Sequence, residues 1–305
     1  MAIPDFQSFM LPILVFAGDS KEHSLAEARD VLARQFNLTD EERNELLPSG
    51  RQRRFDNRVA WAKVYLEQAG LLSSSRRAHF SITDQGAQLF TEQPLRIDIP
   101  MLERYEEFRN FRSAARKPGI NNESGAIEGS QAVATPDELL DQAYQNIRAE
   151  VVSDLLSRVK GNTPRFFENL VVELLLKMGY GRNQDDAARV KGGPGDEGID
   201  GIISEDRLGL ERIYIQAKRW EGIVGRPEIQ KFVGALHGKR AKKGVFITTG
   251  VFSNDAKEYV SHIDPRVVLI DGRELAEYML DFNLGVTTRA TYELKRIDSD
   301  YFTEE

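Results

Sequence analysis

The run from Gly192 to Trp220 reads GGPGDEGIDGIISEDRLGLERIYIQAKRW. A glycine-rich loop leads into a strand-like segment, Ile199–Ser204, whose second residue is Asp200; a polar turn follows, and then a second run, Glu211–Lys218. Side chains alternate along a strand, so Ile213, Ile215 and Ala217 share one face while Tyr214, Gln216 and Lys218 share the other. A neighbouring strand can set Asp200 beside Gln216 and Lys218. One carboxylate, one amide oxygen and one ammonium on adjacent strands suit phosphodiester hydrolysis. The carboxylate anchors Mg²⁺, a hard cation that prefers oxygen ligands, and the metal polarises the scissile phosphate and acidifies water. Lys218 then holds the attacking water and offsets charge developing on the phosphate. Taken singly, Asp200 is an ordinary turn carboxylate and Lys218 a solvated strand end, and an acid-to-QxK spacing on two strands arises often by chance.

The elements around this run supply a second acid. Thr163-Pro164 opens a helix that ends at Gly179, with a core stripe of Phe167, Leu170, Val171, Leu174 and Met178. At 100° per residue, Glu168 lies at the border of that stripe and Glu173 on the opposite, solvent side. A border carboxylate can reach a metal or its water, so Glu168 is the better candidate. Upstream, Thr135 and Glu138 have capping-box spacing with Pro136 at the first helical position, which predicts a helix to about Val159. Downstream, Gly244–Thr249 and Val267–Ile270 read as strands, and 226–237, 254–263 and 273–282 as helices. Alternating helices and strands over 135–305 predict an α/β layer structure.

The first 98 residues have a different order. Ser24–Phe36 reads as a helix, Thr39 with Glu42 caps a short one, and Arg53–Ala69 forms a third with the stripe Phe55, Val59, Ala62, Leu66 and Ala69, stopped by Gly70. Leu71–Thr83 alternates around a polar turn carrying Arg76 and Arg77, and a last short helix starts at Asp84. Three helices followed by a hairpin is the winged-helix order, and 1–98 is expected to be a DNA-binding domain of that kind. Residues 99–134 are expected to be a helical segment, a connector or a helix that docks weakly, followed by a flexible linker, since Lys117–Pro136 is rich in Gly, Pro, Ser and Asn.

Composition closes several classes. With 305 residues, about two domains are expected. There is no cysteine, so disulfides, thiol catalysis and thiolate metal sites are excluded, and the four histidines form no HxH or HExxH pair. The apolar run Phe9–Ala17 is too short for a membrane span and lacks the basic flank of a signal peptide, so the cytoplasm is the default compartment. The net charge of −7 is an average: 51–80 carries +5 and 212–243 carries +7. On the third helix Arg54, Asn57, Arg58 and Trp61 fall away from the apolar stripe. With Arg51, Arg53, Arg76 and Arg77 they compose a basic surface of residue types that contact phosphates and base edges. An arginine cluster on a helix is often only a solvated face; its pairing with basic residues at the hairpin tip favours DNA.

The sequence FFENLVVELLLKMGY, then GGPGDEGIDGIIS, IYIQAKRW, VGRPEIQKFVGAL and KKGVFITTG, spanning Phe166–Gly250, resembles the catalytic domain of Mrr-type restriction endonucleases of the PD-(D/E)XK superfamily. NRVAWAKVYLEQAGLL and its flanks resemble that family's N-terminal winged helix. The resemblance implies an α/β/α nuclease domain with Asp200, Gln216, Lys218 and Glu168 as catalytic positions, and Asp200, Gln216 and Ala217 as metal ligands. Gln230 stands where related nucleases carry a glutamine. Gln216 departs from the superfamily's usual Asp or Glu, and a neutral amide holds Mg²⁺ less strongly; Glu168 can compensate. The resemblance also implies type IV restriction, the cutting of methylated foreign duplex DNA. No methyl-base pocket is legible: Trp61, Tyr65 or Phe80 could line one, although core packing is the commoner use of each. One nuclease site per chain and two strands to cut imply a dimer or larger homo-oligomer. Two other classes stay open: a non-catalytic DNA-binding regulator, and a nuclease of the same fold acting on branched DNA or RNA.

Overall fold

A computed structural model describes residues 2–74, 76–115, 134–181, 198–206, 208, 210–295 and 297. Of the linker stretch expected over 117–136, residues 117–133 lie outside the described residues, as does the glycine-rich loop before Gly198. The chain divides into two compact units, one of Met1–Gln145 that takes in the segment from Glu293, the other of Asn146–Tyr292. Among the described residues no helix is long and apolar enough to cross a membrane.

The first unit is built on an apolar N-terminus. A single 3₁₀ turn, Phe6–Phe9, capped by Asp5, runs into α1 (Met10–Phe16). Phe6, Phe9, Met10, Ile13, Leu14 and Ala17 are fully buried. The short apolar run that fails as a membrane span is thus the centre of a core. Around it stand α2 (Leu25–Gln35), α3 (Asp40–Asn44) and α4 (Arg54–Gln68), with capping boxes at Ser24/Glu27 and Thr39/Glu42. The predicted stripe of α4 faces this core.

A three-stranded antiparallel sheet completes the unit. Its order is β1 (His23–Ser24), β3 (His79–Ile82), β2 (Leu72–Ser73). The hairpin is therefore extended by a strand that precedes α2. Four more helices follow: α5 (Asp84–Thr91), α6 (Ile99–Leu102), α7 (Glu106–Ala115) and the start of α8 (Pro136–Gly161). Of the two readings for the helical segment after residue 98, the structure has the docked one. Leu102 and Phe108 are fully buried in the first core, and Tyr65 packs on Phe108 and Phe111 with centroids 5.5 and 6.1 Å apart. These aromatic anchors dock 99–115 onto the unit.

The polar face of α4 also differs from the expectation that it faces outward. Asn57 is 1% exposed. Its Nδ2 donates to Asp137 Oδ2 at 2.6 Å and to Gln52 Oε1 at 3.1 Å, and its Oδ1 accepts from Thr135 Oγ1 at 2.6 Å. Trp61 Nε1 donates to the same Asp137 oxygen at 3.1 Å. Arg58 donates to Glu138 Oε1 through Nε (3.0 Å) and Nη2 (2.9 Å), and through Nη1 to the carbonyls of Ile3 (2.5 Å) and Pro4 (2.8 Å). The capping box that opens α8 is seated here: Thr135 N donates to Glu138 Oε2, and Glu138 N to Thr135 Oγ1. Buried polar groups of this kind persist because each finds a partner.

The second unit is an α/β/α sandwich. Its sheet has the order β4 (Gly201–Ser204), β5 (Arg212–Lys218), β7 (Lys243–Thr248), β9 (Arg266–Ile270). β4 and β5 are antiparallel; β5–β7 and β7–β9 are parallel. The later turns of α8, α9 (Pro164–Lys177) and α12 (Gly272–Asp281) bury one face of the sheet. On the other lie α10 (Arg226–Gly238) and α11 (Asn254–Ser261), with the short parallel pair β6 (Ile223–Val224) and β8 (Val251–Phe252).

Removing the Glu138 carboxylate leaves Arg58 with 12% exposure short of its counter-charge. Glu138→Ala is expected to destabilise the first unit by about 2–4 kcal/mol. The chain has two tryptophans, Trp61 and Trp220, which fall in different units. A Trp220→Phe background therefore leaves Trp61 fluorescence as the reporter, and the urea midpoint is expected to drop.

Candidate active site

The antiparallel register of β4 on β5 pairs Gly201 with Ile215, and Asp200 N donates to Ile215 O at 2.9 Å. Continued one residue beyond β4, this register sets Asp200 opposite Gln216. Burial along β5 follows the alternation: Ile213 and Ile215 are buried against α9 and α12, while Tyr214 packs toward α10. The Asp200 carboxylate accepts a hydrogen bond from the backbone N–H of Ala217 at 2.8 Å. The acid is thus tied to the residue between Gln216 and Lys218.

Asp200 is half-buried, and its carboxyl is pushed above the usual carboxylate range. Burial is the main cause; the Ala217 N–H opposes it, Glu168 adds to it, and Lys218 opposes it. Glu168, exposed on the first turns of α9, is therefore the helix carboxylate whose charge acts on Asp200, and Glu173 is not. Gln216 Oε1 is buried with no hydrogen-bond partner among the described residues. Its side chain lies under the backbone of Gly198, where an added Cβ would come 2.9 Å from Nε2. Gly198 also has φ of +89°, a conformation that favours glycine.

Lys218 ends β5. Its carbonyl accepts from Thr248 Oγ1 at 2.8 Å, which ties the backbone there to β7. Its ammonium pairs with Glu228 and lies 4.3 Å from the centroid of the Trp220 ring. Neither Glu228 nor Trp220 stood out in the sequence. The available signal was an acid in the first turn of the helix after the QxK strand. Gln230, two positions further along α10, points away from the Glu228 side and is exposed.

The donor set is oxygen-rich and small. Among the described residues no group of three or more His, Asp and Glu side chains gathers. Two carboxylates, Asp200 and Glu168, are joined instead by one amide oxygen that has no partner among the described residues. A buried acceptor left without a donor is costly, and a cation satisfies it, so these residues fit a hard divalent metal.

The structure does not gather all of the basic candidates. Arg51, Arg53, Arg76 and Arg77 are exposed, Arg76 in an ion pair with Glu22 at 2.7 Å. Arg54 pairs with Glu45 at 2.8 Å and lies 3.7 Å from Glu138, while Asn57 and Arg58 are held in the internal network of α4 and α8. Phe80 is fully buried, Tyr65 packs edge-on against Phe6, and Trp61 is bonded to Asp137.

Gly198→Ala tests the approach of the loop to Gln216. The new methyl displaces the amide and strains the backbone. Isothermal titration with a divalent cation is expected to show weaker binding than in the unaltered chain.

Two family models match the chain: one described as restriction endonuclease (Mrr_cat) over residues 159–279, and the Mrr N-terminal domain over 6–92. A type IV methyl-directed restriction enzyme, EcoKMrr of Escherichia coli (strain K12), is 36% identical over 311 residues, covering 99% of this chain and all of that protein. Among solved structures, the modification-dependent restriction endonuclease AspBHI aligns over 71% of this chain and 56% of its own, at 16% identity and a TM-score of 0.32. MspJI, in complex with a 27-mer oligonucleotide, aligns over 66% of this chain and 47% of its own, at 17% identity and a TM-score of 0.25. The near-complete match to a curated relative, together with family models on both halves, shows that the chain belongs to the Mrr family of restriction endonucleases.

Proposed function

We propose that this restriction endonuclease hydrolyses phosphodiester bonds of methylated double-stranded DNA with Mg²⁺ as its cofactor. The observation that carries the reading is the Asp200 carboxylate bonded to Ala217 N, between Lys218 and Gln216, whose buried Oε1 has no partner among the described residues. Asp200 and Gln216 Oε1 would hold the cation, with the carbonyl oxygen of Ala217 as a third ligand and Glu168 supplying the negative charge that the neutral amide does not. A divalent cation there supplies polarisation of the scissile phosphate and activation of water. Lys218 directs its ammonium at the charge that builds on the phosphate. Asp200, raised in pKa by burial, gains from a nearby cation that favours its ionised form.

Selection of DNA falls to the first unit, which we read as a winged helix: α4 as the reading helix and the β2–β3 turn as the wing. Arg51, Arg53, Arg76 and Arg77 are its available contacts. Arg54, Asn57 and Arg58 join them only where the Asp137/Glu138 network opens. The methylated substrate follows from the methyl-directed relative, and the cytoplasm is the compartment of such DNA. Two strands and one site per chain call for a dimer or higher homo-oligomer on DNA, which sedimentation with and without duplex tests.

Asp200→Ala and Lys218→Ala are each expected to abolish cleavage while DNA binding and folding persist. Robust cutting by purified Asp200→Ala sinks the assignment. A panel of methylated duplex, unmethylated duplex, four-way junction and RNA, each with and without Mg²⁺, fixes the substrate. Binding without metal-dependent nicking of any member would leave a non-catalytic regulator.

Arg53→Ala with Arg77→Ala is expected to weaken duplex binding. The slope of log K against log salt should become shallower by about 0.9 for each phosphate that the variant no longer neutralises. An unchanged slope removes that surface from the interface.

A further inference from the structure

Glu228 stands in the first turn of α10, beside Ile229, Phe232, Val233 and Leu236, which bury that helix against the sheet. One carboxylate oxygen takes the ammonium of Lys218; the other takes Lys231 Nζ at 2.7 Å. Lys231 is 74% exposed, whereas Lys218 is 34% and Glu228 20% exposed. The pair with Lys218 is therefore the sheltered one. The N-terminal turn of a helix favours an acid, and both lysines hold the carboxyl below its usual range, Lys218 first.

A lysine head is hard to keep in place. Its stem has four rotatable bonds and about 2 kcal/mol of rotamer entropy. The Thr248 hydrogen bond fixes the Lys218 backbone but not its tip. Two groups fix the tip: the Trp220 ring and the Glu228 carboxylate. Trp220 limits the ammonium from one side through a weak, broad attraction. Glu228 gives it a defined direction, from a rigid element on the same side of the sheet.

We propose that Glu228 is a positioning residue for DNA cleavage, fixing the Lys218 ammonium at the end of β5 beside Asp200 without itself touching DNA or metal. This rests on the reading of Lys218 as catalytic. Misplacing a group by about 1 Å can cost roughly 100-fold in rate, so the effect falls on turnover and not on binding.

The test uses the full chain, Mg²⁺ and the member of the substrate panel that the unaltered chain cuts. Glu228→Gln keeps the shape and removes the charge. Its single-turnover rate is expected to fall about 10- to 100-fold, with duplex affinity and Mg²⁺ half-saturation within about twofold, and with an unchanged melting temperature. Glu228→Asp keeps the charge on a shorter arm and should cut faster than the Gln variant. A wild-type rate in Glu228→Gln overturns the inference. So does a loss that appears only as weaker Mg²⁺ binding, which would make Glu228 a ligand, and so does an Asp variant no better than Gln, which would make the charge irrelevant. Lys218→Ala runs alongside: if it still cuts, the reading of the lysine fails; if it is inactive while Glu228→Gln is unimpaired, only the positioning inference fails.

Discussion

The hydrogen bond from Ala217 N to the Asp200 carboxylate holds the site to the sheet. It exists because β4 meets β5 in one antiparallel register, Gly201 opposite Ile215. A slip of one residue would turn Gln216 and Lys218 into the α9 side and bring Ile213 and Ile215 out. The register is protected by burial: Ile203, Ile213 and Ile215 are all 6% exposed or less on the apolar face. The same apolar packing that stabilises the sheet therefore selects which polar residues meet at its edge. Gly198 belongs to this constraint, since the chain entering β4 passes over the Gln216 amide too closely for a side chain.

Much of this was legible because β5 obeys a period of two and α4 and α9 obey a period near 3.6. Glu211–Lys218 reads as a strand with two unlike faces, and the structure has that strand from Arg212 to Lys218. The stripes Phe55/Val59/Ala62/Leu66 and Phe167/Leu170/Val171/Leu174 point inward as their spacing requires. Capping boxes at Thr39 and Thr135 are local chemistry and were readable locally.

What was not legible is long-range polar pairing. Asn57 and Arg58 look like an outward face because nothing within a helical turn neutralises them. Their partners, Asp137 and Glu138, lie 80 residues away. Hydrophobic periodicity carries no signal for a polar group buried against another polar group. The Lys218–Glu228 pair is hidden for the same reason, joining a strand end to a helix that only the fold brings near. The N-terminal helix was opaque for a different one. A short segment that is apolar on nearly all sides has no stripe, and only a surrounding core explains it.

The seating of Thr135 and Glu138 on α4 places the start of α8 in the first unit. α7 ends at Ala115 in that unit, and the capping box at Thr135 is bonded into it. The passage from one unit to the next is made inside a helix, α8, between Gln145 and Asn146.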